Sequence, residues 1–139
     1  MSQENVEIVR RIYAAMEETG SFAASGLLDA DIEWVNPSTA VEPGIHKGRD
    51  AFEAAWSNVK DSFETVEFEP GDFLHDGDEV VYITVMRARG HGSGADVEHP
   101  QGHVWTIKQG LAVRMRWFHH HHLALEAMGL SEEDAHADS

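Results

Sequence analysis

The chain contains no cysteine, which excludes a disulfide framework, a thiolate metal site and thiol redox chemistry. Basic residues are also scarce: ten Lys and Arg stand against 25 Asp and Glu, a formal charge of −15. A surface of that sign repels phosphate backbones and anionic lipid heads, so neither nucleic acid nor a membrane is expected as a partner. Apolar runs are short and broken by charge, and the opening Met-Ser-Gln-Glu-Asn lacks the basic-then-apolar layout of a signal peptide. A cytoplasmic location is the default expectation. No internal repeat and no long linker divides the 139 residues. One domain over 1–130 is expected, with an acidic, disordered tail over 131–139.

What is present is enough for a core. Apolar residues make up 42% of the chain, outside the range of disordered compositions. Val6, Val9, Tyr13 and Met16 recur at helical spacing and predict a helix over 3–19, with Gly20 ending it. A short second helix is expected over 22–28. Residues 31–36 alternate, with Ile32, Trp34 and Asn36 on one face, and Pro37 stops that strand because it cannot donate to a ladder. Residues 37–48, with two prolines and two glycines, read as irregular connection. Phe52, Ala55, Trp56 and Val59 then mark a helix over 49–60.

The remainder reads as a meander: strands over 63–74, 79–89, 97–108 and 111–118, with Gln109-Gly110 as a tight hairpin turn. A last helix over 119–128 ends at Gly129. Helices cluster first and hairpins follow, which predicts an α+β fold: a curved antiparallel sheet wrapped on N-terminal helices as a cone. The open end of a cone is a pocket.

Particular segments carry a resemblance. The opening Glu7-Ile-Val-Arg-Arg-Ile-Tyr-Ala-Ala-Met16, the strand Asp31-Ile-Glu-Trp-Val-Asn-Pro37 and the turn Gly48-Arg-Asp-Ala-Phe52 resemble the nuclear transport factor 2-like superfamily. The ending Gly110-Leu-Ala-Val-Arg-Met-Arg-Trp-Phe118, with Leu125-Glu-Ala-Met-Gly-Leu130, resembles its SnoaL-like branch. The resemblance implies the cone-shaped, ketosteroid isomerase-like roll and a homodimer through the outer face of the sheet. It does not choose a function, because relatives include isomerases, cyclases, hydrolases, dehydratases and transport adaptors.

The catalytic positions of ketosteroid isomerase-like relatives depart from the pattern here. Their general-base Asp falls on Asn36, and an amide takes no proton near neutral pH. Their helix tyrosine aligns best with Ile12, one residue from Tyr13, and their strand acid falls near Gly102. The acid of SnoaL-like cyclases falls on Arg116 or Trp117. The expected ligand is a small, mostly apolar or aromatic molecule. Its candidate lining is Ile12, Tyr13, Met16, Trp34, Asn36, Trp56, Val104, Arg116 and Trp117.

Ten histidines are the unusual feature. His103 is the candidate general acid or base for a lyase, isomerase or cyclase. The superfamily register turns Val104 into the cup and His103 with Trp105 outward, and a slip of one residue reverses that. His119 and His122, three apart at the start of the last helix, are candidate ligands for a divalent transition metal. The default reading is that they are solvated helix-start residues, or a run introduced for purification or metal binding in the laboratory. No cofactor is otherwise required. The competing class is a non-catalytic binding or accessory protein.

Overall fold

The computed structural model describes residues 2–92 and 94–130; the expected tail over 131–139 lies outside them. The element order is α1 (Ser2–Thr19), a single 3-10 turn (Ala23–Ser25), β1 (Leu28–Asn36), β2 (Gly44–Lys47), α2 (Arg49–Asp61), β3 (Thr65–Phe68), β4 (Asp72–Asp76), β5 (Glu79–Arg89), β6 (Asp96–Lys108), β7 (Leu111–Phe118) and α3 (His121–Ala127).

Seven strands form one curved, unclosed sheet in the order β2-β1-β7-β6-β5-β3, with β4 also pairing β5. The fold is α+β, as the pattern predicts, but the sheet is mixed. β1 runs parallel to β7, while every other pairing is antiparallel. The parallel pair joins the first and seventh strands, a non-local contact that hairpin signals do not encode.

Three further boundaries differ from expectation. The second helix shrinks to the 3-10 turn, because Gly26 at φ 73° and the start of β1 at Leu28 leave it no length. Residues 44–47 form β2 on the edge of the sheet. The long strand expected over 63–74 breaks into β3 and β4 around Glu69-Pro70-Gly71, both halves pairing β5. A Cβ at Gly71 would lie 1.8 Å from the Ile83 carbonyl oxygen, so the break needs glycine.

Alternation along β5, β6 and β7 divides the core in two. One face packs Val80, Tyr82, Met86, Trp105, Met115 and Trp117 against α1 and α2. The opposite face packs Val81 and Val104 against Ala124 and Leu125 of α3 and Met128 just after it. Gly102 makes that second layer possible, since a Cβ there would sit 2.3 Å from the Ala124 Cβ. No helix among the described residues is long and apolar enough to cross a membrane.

Candidate functional site

Asn36 ends β1 with its side chain on the inner face, and the turn after it closes back over that face. Its amide nitrogen donates to the Glu42 carbonyl oxygen at 2.8 Å, and His46 Nε2 meets the same carbonyl at 3.0 Å. These contacts fix which way the amide points. Asn36 Oδ1 is left buried with no hydrogen-bond partner among the described residues. Trp117 Nε1, on β7, is buried and unpartnered in the same sense. Both residues line one cavity of ≈ 210 Å³. Its remaining inner wall is Val59, Phe63, Met86 and Gln101, and its rim is formed by residues 39–42 with His99 and His119.

A buried polar atom without a partner costs free energy, and native interiors keep few of them. One acceptor and one donor left open in a single apolar-walled cavity match the few convergent polar groups of a small-molecule site.

Behind this wall runs a chain of buried hydrogen bonds. Trp105 Nε1 donates to the Tyr13 hydroxyl oxygen at 3.0 Å. The Tyr13 hydroxyl lies 2.5 Å from His103 Nδ1. His103 Nε2 lies 2.8 Å from Gln101 Oε1, and Gln101 Nε2 contacts Met86 Sδ at 3.6 Å. Because Gln101 Oε1 only accepts, His103 carries its proton on Nε2 and accepts from Tyr13 at Nδ1. Burial, with a smaller contribution from His121, lowers the His103 pKa to about 3. Burial likewise raises the Tyr13 hydroxyl well above its ordinary value. Both groups are neutral at neutral pH. His103 is sandwiched against the ring of Trp117, centroids 4.7 Å apart.

The inner-face position of His103 corrects the superfamily register. His103 pairs across the sheet with Tyr82 and Trp117, and Val104 with Val81 and Arg116. His103 and Trp105 therefore face the helices α1 and α2. Val104 and Arg116 face away from the cavity, and Arg116 donates to Glu79 at 3.0 Å there. Gly102 faces α3 rather than the cup. Of the sequence candidates, Asn36 and Trp117 line the cavity. Ile12, Tyr13, Met16, Trp34 and Trp56 belong to the core around it, with Trp56 Nε1 donating to the Gly20 carbonyl at 3.0 Å. His103 stands one residue layer behind the wall, reaching it through Gln101.

The histidine run is not arranged as the metal reading requires. α3 begins at His121, so His119 precedes the helix and the shared-face argument for His119 and His122 fails. His119 Nδ1 instead pairs with Thr39 Oγ1 at 3.2 Å, and His121 Nε2 donates to the Thr84 carbonyl at 2.8 Å. Among the described residues no group of three His, Cys, Asp or Glu is placed to hold a metal ion.

Gln101, Met86, Val59, Phe63 and His99 were not singled out by sequence reasoning. Gln101 was within reach: once Gly102 is placed outward, the two-residue period puts Gln101 beside His103.

The SnoaL-like domain family matches residues 9–115, and the chain belongs to it. No curated protein matches the chain. Among solved structures, an NTF2-like protein of unknown function from Burkholderia pseudomallei K96243 is 22% identical, with a TM-score of 0.75 over 94% of this chain and 98% of that one. An NTF2-like protein from Burkholderia xenovorans LB400 is 24% identical, with a TM-score of 0.73 over 85% and 90%. TerC, co-crystallised with polyporic acid, is 23% identical, with a TM-score of 0.73 over 84% and 91%. At these identities the likeness shows the fold.

Proposed function

We propose that the chain is a SnoaL-type pocket protein that binds a small, mostly apolar or aromatic molecule. The ligand accepts a hydrogen bond from Trp117 Nε1 and donates one to Asn36 Oδ1. The carrying observation is that these two buried, unpartnered atoms belong to residues of the same cavity. The co-crystallisation of TerC with polyporic acid supports a small-molecule cup in this fold. Equilibrium titration with 1-phenylethanol, whose hydroxyl both accepts and donates, followed by tryptophan fluorescence, tests the reading. Trp117→Phe and Asn36→Leu should each weaken binding about tenfold, the worth of one hydrogen bond in a buried site. Unchanged affinity in both variants contradicts it.

A second reading, proton transfer on the bound molecule by a lyase, isomerase or cyclase, is favoured by His119. Burial, then the neighbouring His99 and His120, hold its pKa below the ordinary value. A neutral imidazole at the cavity rim accepts a proton at neutral pH, a role that the enclosed His103 does not fill. Loss of turnover in His119→Asn with ligand affinity retained is the expected signature; full turnover in that variant contradicts the assignment.

A further inference from the structure

We infer that the polar end of the ligand is a single hydroxyl group, which closes both open atoms of the cavity at once. The site then takes an alcohol or a phenol in preference to the ketone or hydrocarbon of the same shape. The inference rests on the cavity being a ligand site and names the chemical class that the site takes.

Neither open atom can change its role. The Glu42 carbonyl oxygen accepts from Asn36 Nδ2 at 2.8 Å and from His46 Nε2 at 3.0 Å, and the Glu42 side chain is itself held by Asn58. Flipping the Asn36 amide would set Oδ1 against that carbonyl, two acceptors face to face, so Oδ1 stays the unpartnered atom. A ligand satisfies it only by donating. The Trp117 indole is a donor with no acceptor of its own. Its ring is fixed by its neighbours, stacked on His103 at 4.7 Å and edge-on to Trp34 at 5.0 Å between centroids. A ligand satisfies its Nε1 only by accepting.

The size of the cavity joins the two demands. At ≈ 210 Å³ it is smaller than the about 300–1,000 Å³ of drug-sized sites, and Val59, Phe63 and Met86 give it apolar walls for a compact aryl or alicyclic body. Such a body leaves space for one polar group rather than a donor and an acceptor at opposite ends. Gln101 adds no demand of its own, because Oε1 meets His103 and Nε2 meets Met86 Sδ. A hydroxyl carries one proton and two lone pairs, so it donates to Asn36 Oδ1 while accepting from Trp117 Nε1. A carbonyl oxygen accepts from Trp117 but faces Asn36 Oδ1 as a second acceptor. A hydrocarbon leaves both atoms unpaired.

Three probes of nearly the same shape, 1-phenylethanol, acetophenone and ethylbenzene, test the selection by titration against tryptophan fluorescence. The wild-type protein should bind the alcohol about tenfold more tightly than the ketone, the worth of the one hydrogen bond that the ketone leaves unmade. Ethylbenzene should bind more weakly than the alcohol by at least that factor. In Asn36→Leu the acceptor is gone, so the alcohol should lose its advantage over the ketone. In Trp117→Phe both should weaken by a similar factor and the advantage should persist. A ketone bound as tightly as the alcohol by the wild-type protein, or an advantage that survives in Asn36→Leu, overturns the inference. The cavity reading still stands in that case if Trp117→Phe weakens binding. Binding of none of the three probes overturns the cavity reading and the inference with it. If Asn36→Leu does not fold, the wild-type comparison alone decides.

Discussion

The Tyr13 hydroxyl, on the first helix, lies 2.5 Å from His103 Nδ1 on the sixth strand, 90 residues away in sequence. This contact ties α1 to the middle of the sheet at the point where the core meets the cavity wall. Tyr13 makes edge contacts with Phe22 and Phe68 and stacks on His103, so the polar link is embedded in aromatic packing.

Removing the hydroxyl isolates that link. Tyr13→Phe leaves Trp105 Nε1 and His103 Nδ1 unpartnered in a fully buried setting. The expected cost is about 1–3 kcal/mol of unfolding free energy, read as a lower urea midpoint with unchanged slope. An unchanged midpoint contradicts the hydrogen-bonded chain.

The buried imidazole also sets a pH dependence. The His103 pKa falls from 6.5 to about 3 on folding. Below pH 6.5 the unfolded chain takes up a proton that the folded chain refuses until about pH 3, so stability falls as pH drops through that window. Above it this group contributes no pH dependence. The slope approaches about 1.4 kcal/mol per pH unit inside the window. His103→Gln should be less stable at pH 7 yet lose less on acidification to pH 5, measured by urea unfolding at both values. Parallel losses contradict the assignment.

The second core layer hangs on a single missing methyl. Gly102→Ala forces its Cβ against that of Ala124 and should cost about 1–3 kcal/mol by overpacking. Ala124→Gly in the same chain should restore part of that loss, giving a favourable coupling in the double-mutant cycle. Additive losses contradict the close approach of α3.

Arg116 supplies the control. It faces away from the cavity and pairs with Glu79. Arg116→Met should leave 1-phenylethanol affinity unchanged within about twofold, against about tenfold for Trp117→Phe, the value of one hydrogen bond. A comparable loss in Arg116→Met contradicts the assignment of faces.

Most of the architecture was legible because it is local. Phe52, Ala55, Trp56 and Val59 mark α2 by spacing, and all four are buried. Gln109 and Gly110 mark the β6–β7 hairpin and both adopt positive φ. β2 was not legible, because its Ile45 is 65% exposed and its neighbours break any alternation. The face of His103 was not legible either. In Gln101-Gly-His-Val-Trp105 both alternating sets are buried, one under α1 and α2 and the other under α3. With both faces covered, hydrophobicity no longer tells inside from outside. The cavity rim at residues 39–42 was hidden for a related reason: a loop that closes over a strand end carries no periodicity.

The indole N–H resonances give the most direct test of the cavity as a ligand site. Trp56 Nε1 and Trp105 Nε1 already have protein acceptors, and Trp34 does not line the cavity. On titration of 1-phenylethanol into nitrogen-15-labelled protein, the Trp117 N–H resonance should make the dominant downfield, saturable shift as it gains a hydroxyl partner. A Trp117 resonance that stays in place, or shifts no larger than those of the other three tryptophans, contradicts the account.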